Sequence, residues 1–254
     1  MHTQSALRSK MLNAAPYLAT FFTIGVLAAA VLWAANVRAD GMIPATSVVI
    51  VNEADGEAVL KVTNSDSKPS LLHVTLQDIP EDKEPLLLVT PPVSRVEPGK
   101  SQQVRFILRT GQAPLKTQRL KRVIVEGITQ AAKGQPNHAR VGVGVRQNLP
   151  VLIHPAGLAQ NREPWTGLKW SRTGETLTVA NDTPYVVRLS QQVQLLPMNA
   201  TTQLPRTYVL PGDKLNMKVP AGTAQASGVR LFPATVYGFA VDAYDAPLQS
   251  PAAP

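Results

Sequence analysis

Three features of the sequence predict an all-β protein of two sandwich domains behind an export leader. Short alternating apolar runs recur between turn signals from about residue 47 to the C-terminal end. Proline is frequent, 22 of 254 residues, and no apolar spacing of helical period is found after residue 40. The chain opens with basic, apolar and small-residue segments in the order of a secretory signal.

The leader comes first. Arg8 and Lys10 precede an uncharged stretch, "YLATFFTIGVLAAAVLWAA", from Tyr17 to Ala35. Val37 and Ala39 stand at the small-residue positions before a cleavage point. The expected signal peptide is 1–39, with the mature chain beginning at Asp40. Its apolar part is nearly long enough to span a bilayer, so an uncut membrane anchor is the alternative. Three of the 25 basic residues (Arg8, Lys10, Arg38) and none of the 17 acidic ones lie in 1–39, which leaves 22 against 17, a net +5. That modest excess keeps a protein soluble or attracts a carboxylate. Basic runs among aromatics are missing, which argues against nucleic acid. The chain has no cysteine, which excludes disulfides, thiol catalysis and thiolate-bound metals.

The first domain is expected at 40–155. Its strands read as "SVVIV" (47–51), "AVLKVTN" (58–64), "LLHVTLQDI" (71–79), two strands within 86–108 split by Pro-Pro and Pro-Gly, "RVIVEGI" (122–128), and the stretch from Arg140. About seven strands in such a length fit an immunoglobulin-like sandwich. "AGLAQNREP" (156–164) lacks periodicity and reads as a linker. The second, smaller sandwich is expected at 165–247: "GLKWSR", "ETLTVAND", "YVVRLSQQVQLL", "RTYVLPG", "KLNMKVP", "SGVRLF" and "VYGFAVDAY". The Pro- and Ala-rich end, 248–254, reads as a disordered tail.

Residues that could carry chemistry are scattered. His2, His73, His138 and His154 are not at metal-ligand spacing. No Gly-x-Ser-x-Gly elbow is present. "GVG" at 142–144 lacks the remaining glycine and the helix of a nucleotide loop. "NAT" at 199–201 is a glycosylation match too short to weigh. No enzyme, cofactor or metal is expected.

One stretch asks a sharper question. "RVGVGVRQNLPVLIHP" (140–155) puts Val141, Val143 and Val145 on one strand face and Gly142, Gly144 and Arg146 on the other. The valines fill either their own core or a partner's, and spacing alone leaves both open.

Two motifs resemble PapD-like periplasmic pilus chaperones. "VTPPVSRVEPGKSQQVRF" (89–106) is similar to their first-domain signature, and "NDTPYVVRLS" (181–190) to a second-domain motif; "YVLPG" (208–212) and "YGFAVDAYDAP" (237–247) are weaker matches. The resemblance implies two immunoglobulin-like domains arranged as a boomerang. It implies a periplasmic, non-enzymatic chaperone that lends its last first-domain strand to pilin subunits lacking one. Delivery to an outer-membrane usher, and self-association through that strand when free, are implied as well. "VLIHP" (151–155) stands where the family leads into its hinge, so the lending strand is 140–150. Its subunit-binding residues are Val141, Val143, Val145, Gln147 and Leu149. The family also holds the subunit's terminal carboxylate with two basic residues, and here those positions read Ser47 and Pro150. Either a replacement anchor stands among Arg119, Lys121, Arg122 and Arg146, or register rather than charge fixes the subunit. The rival expectations are an exported pilus component or adhesin, and a membrane-tethered scaffold.

Overall fold

Alternation in the sequence becomes faces in the structure. In β4 (Ser70–Gln77), Leu72 and Val74 are buried while Leu71 and Thr75 are exposed. The computed structural model describes residues 41–109, 113–129 and 145–249. The expected leader and the tail beyond Gln249 lie outside them, and so do Val141 and Val143.

The first sandwich also contains β1 (Met42–Pro44), β2 (Val49–Asn52), β3 (Glu57–Asn64), β5 (Leu87–Thr90), β6 (Val93–Val96), β7 (Ser101–Leu108), β8 (Arg119–Thr129) and β9 (Arg146–His154). One sheet runs β1-β3-β7-β5 and the other β2-β9-β8-β4-β6. The first edge therefore changes sheets: β1 pairs antiparallel with β3, and β2 pairs parallel with β9. Between the sheets lie Met42, Val51, Leu60, Val62, Leu72, Val74, Val104, Phe106, Val123, Val125, Val151 and Ile153, all buried. Burial of such side chains, at roughly 1.5–3 kcal/mol each, holds the two sheets together.

The second sandwich follows a 3-10 turn at Pro164–Gly167. Its strands are β10 (Lys169–Thr173), β11 (Thr176–Ala180), β12 (Val187–Leu189), β13 (Gln192–Leu196), β14 (Ala200–Gln203), β15 (Tyr208–Val209), β16 (Lys214–Lys218), β17 (Gly228–Leu231), β18 (Pro233–Ala234) and β19 (Tyr244–Gln249). A seven-stranded sheet, β14-β13-β17-β19-β10-β11-β16, faces a three-stranded one, β15-β12-β18. "YVVRLSQQVQLL" is two strands, not one run. The Ser190 hydroxyl accepts a bond from the Gln192 N–H, and the chain turns there from one sheet to the other.

The expected disordered tail begins too early. Residues 246–249 belong to β19, which is antiparallel to β17 and parallel to β10. Ala246 is buried, Leu248 packs on the second core, and its N–H reaches the Ser227 carbonyl at 2.9 Å.

The two domains carry the same corner. The buried Asn64 donates from Nδ2 to the carbonyls of Lys68 and Val96 and accepts from the Asp66 N–H, each at 2.9 Å. The buried Asn181 donates to the carbonyls of Tyr185 (2.8 Å) and Val209 (3.1 Å) and accepts from Thr183.

The domains meet through a small apolar cluster. Ile79, Leu120 and Leu152 come from the first, and Val186, with Tyr208, Leu210 and Val236, from the second. Gln118, which precedes β8, pins the junction. Its Oε1 accepts from the Val186 N–H and its Nε2 meets His154 Nδ1, both at 2.9 Å. Glu81 reaches across to Arg206 and accepts a 2.9 Å bond from the Tyr208 hydroxyl.

Candidate functional site

β9 is covered on one edge and half-covered on the other. β8 pairs with it from Arg146 to Ile153. β2 pairs only with Val151–His154, because β2 begins at Val49. From Arg146 to Pro150 the second edge has no strand partner among the described residues. Such an edge offers backbone donors and acceptors to an added strand.

Side chains along β9 divide by parity. Leu149, Val151 and Ile153 face the first domain's core; the last two are buried and Leu149 is half-buried. Gln147, on the same face, donates from Nε2 to the Met42 carbonyl at 2.7 Å. Gln147 and Leu149, expected as subunit contacts, are thus turned into their own sandwich. Val145 is the next residue on this face and is 43% exposed. The apolar alternation runs on past the point where the protein's own core ends.

The other face leads to the hinge. Leu120 stands opposite Leu152, both against the second domain; Arg122 stands opposite Pro150; Ile124 stands opposite Asn148. Arg122 is therefore one rung out from the hinge cluster. It donates to Asn148, from Nε to Oδ1 (2.5 Å) and from Nη2 to the carbonyl (2.8 Å).

The other expected anchors are engaged elsewhere or lie elsewhere. Arg119 makes a two-pronged pair with Asp82 at 2.6 and 2.7 Å and reaches Glu84 at 2.8 Å. Lys121 is 3% exposed and donates to Asp78 and Asp82. Burial pushes the Asp82 carboxyl up, but hydrogen bonds from Arg119 and Lys121 outweigh it and hold that carboxyl below its usual range. Arg119 and Lys121 thus serve the first domain's own carboxylates. That corrects the expectation for both: a second carboxylate would have to displace Asp82. Arg146 is exposed at the outer end of β9, opposite Glu126 and four residues from Pro150. Ser47 donates its hydroxyl to the Tyr237 carbonyl at 2.8 Å, joining the first domain to a turn of the second.

Profiles of known families match most of the chain. "Pili and flagellar-assembly chaperone, PapD N-terminal domain" covers residues 41–159, and "Pili assembly chaperone PapD, C-terminal domain" covers 163–242. The chain belongs to the PapD-like pilus-assembly chaperones. It is 41% identical to the fimbrial chaperone YhcA of Escherichia coli K12, over 82% of this chaperone and 91% of that protein. It is 27% identical to the Escherichia coli chaperone FocC, over 68% and 76%. Two solved chaperone structures share its fold. These are Escherichia coli DraB (TM-score 0.65, 22% identity, 82% of this chain and 98% of that one) and SafB of Salmonella enterica, solved with the SafA pilin (0.67, 19%, 84% and 99%).

One basic residue beside the hinge was missed in the sequence. Arg188 of β12 is two residues beyond Val186, so it too stands one step out from the hinge cluster. It donates to the Val236 carbonyl at 3.3 Å. Burial lowers the pKa of both Arg122 and Arg188, and the charge of Arg122 lowers that of Arg188 further. Nothing in "YVVRLS" singles it out, since its neighbourhood is made by folding.

Proposed function

We propose that this chain is a periplasmic, non-enzymatic chaperone that captures fimbrial subunits by lending them β9 and passes them to an outer-membrane usher. The observation that carries this reading is the half-covered edge of β9. A subunit sandwich short of one strand finds there a row of backbone groups. The alternation through Val141, Val143 and Val145 supplies apolar side chains beyond the end of the chaperone's own core. The exposure of Val145 supports this. In the free protein the same edge is open to a second copy, and self-association belongs to the proposal. A leader at 1–39, removed after Ala39, brings the chain to that compartment.

The test is co-expression of the full precursor with a fimbrial subunit encoded beside it, followed by recovery from the periplasm. The chaperone should arrive in complex with the subunit, with an intact mass that begins at Asp40. Val145→Asp should cut the recovered complex about tenfold or more, because a carboxylate would enter an apolar groove unpaired. Undiminished capture by this variant would refute the lending strand.

A further inference from the structure

We infer that a turn of the second domain, residues 235–239, is a separate grip on the subunit. Its Tyr237 and Phe239 cover apolar surface of the subunit beside the inner end of the strand laid along β9. The inference rests on the proposed lending of β9. Its first support is exposure. Aromatic residues are only 5% of the chain, yet two of them stand within three positions here. Phe239 is 69% exposed and Tyr237 55%, more than any other large apolar residue among the described ones. One exposed aromatic is ordinary, but two on one short turn make a patch of the kind that a partner covers.

The second support is the stiffness of the turn. The Thr235 N–H donates to the Phe239 carbonyl and the Gly238 N–H to the Thr235 carbonyl, both at 2.8 Å. The Phe239 N–H reaches the Thr235 hydroxyl at 3.1 Å. Gly238 takes a φ of 84°, which a side chain would strain. The turn is moored from outside as well. Val236 packs in the hinge cluster, and its carbonyl accepts from Arg188. The Tyr237 carbonyl accepts from Ser47 of the first domain. Such a backbone holds two ring side chains out on a fixed support, and each ring has few rotamers to lose when it is covered. Aromatic anchors of this kind carry much of the binding energy at protein interfaces.

The third support is position. A strand added to the open edge of β9 runs beside Arg146 to Pro150 and stops where β2 begins, at Val49. Ser47 is two residues before Val49, so the chain keeps it within about 7 Å of that point. The bond from Ser47 to Tyr237 therefore sets the turn at the inner end of the open edge. There β9 has little apolar surface of its own to give. Leu149 packs on its own sandwich, and the opposite face carries Asn148 and Pro150, with Arg122 across from the latter. Val145 offers an apolar contact at the outer end of the edge, and the aromatic turn offers one at the inner end. A partner seated along the edge meets both, which makes the subunit that receives the strand the occupant.

The test introduces Phe239→p-benzoylphenylalanine and co-expresses the chaperone with the fimbrial subunit encoded beside it. Irradiation of the recovered complex should join the two chains covalently. Tyr237→Ala and Phe239→Ala together should lower the recovered complex about tenfold or more, as loss of aromatic anchors does. The free double variant should melt where the unaltered chaperone does, since both rings are exposed. If it melts early, the cross-link decides alone. Undiminished capture by the double variant would overturn the grip and leave the lending strand standing. A cross-link to a second copy of the chaperone or to another protein instead of the subunit, or no cross-link at all, would overturn the subunit as the occupant. Failure of the unaltered chaperone to capture any subunit would overturn the functional reading itself, and this inference with it.

Discussion

Asn64 and Asn181 are 0% exposed, and each ties together three or more backbone or side-chain groups at a strand end. Removing such a hub leaves buried carbonyls without donors, a cost on the order of 1–3 kcal/mol for each unsatisfied group. Asn181→Ala should therefore destabilise the protein by about 3 kcal/mol. Asn216→Ala, which removes only an exposed bond from Thr178, should cost less than about 0.5 kcal/mol. Urea midpoints of the two variants decide this. The example also shows what the sequence conceals at this scale. "NDTPY" was legible as a motif, but its twin at Asn64 was not, because Asp66 and Lys68 share only spacing with Thr183 and Tyr185. Likewise the cluster Arg119, Lys121 and Arg122 reads as one basic patch. Alternation along β8 puts Arg122 on the face opposite Arg119 and Lys121, and Asp82, about forty positions earlier, engages those two by its salt bridges.

Elements were easier to read than their ends. Most strands of both sandwiches stand where apolar alternation placed them, since a half-buried strand writes its two faces into the chain. Two failures have physical causes. The Pro- and Ala-rich residues from 248 on made the end of β19 look like a tail, and Pro247 inside the strand is tolerated because the parallel register with β10 begins only at Leu248. In β9, parity was legible but the limit of the core was not. Apolar residues recur on this face from Ile153 to Val141 with one interruption, Gln147, whose bond to the Met42 carbonyl at the end of the core is made only by folding. The structure predicts a gradient along that one face. Ile153→Ala should cost about 2–5 kcal/mol, the range for a fully buried aliphatic side chain. Leu149→Ala should cost less, and Val145→Ala under about 0.5 kcal/mol. Denaturant unfolding of the three free variants checks this. A large loss for Val145→Ala would return that valine to the chaperone's own core and deprive the lending strand of its support.

At the scale of the molecule, the contact between domains combines the apolar hinge with a polar lock that no single segment encodes. Arg206 lies over the Tyr208 ring, 4.9 Å from its centroid, and pairs with Asp213 of its own domain and Glu81 of the other. The Tyr208 hydroxyl donates to the same Glu81. Burial, the bond to Glu81 and the carboxylate's charge raise the Tyr208 pKa to about 12 against the weaker opposing pull of Arg206 and Arg122. An unfolded tyrosine loses its proton near pH 10. Between about 10 and about 12 the unfolded chain therefore binds fewer protons than the folded one, and stability falls as pH rises. Below the unfolded value this contribution is complete. Absorbance at the tyrosinate band should show one of the protein's tyrosines titrating late, and Tyr208→Phe should remove that delayed step. Glu81→Gln should bring the step back towards the ordinary value, since the charge facing the phenol is gone. Melting temperatures taken across the same window should decline less steeply in Tyr208→Phe than in the unaltered protein. Equal slopes would mean that the phenol is not held by Glu81 and that the apolar cluster joins the domains without the lock.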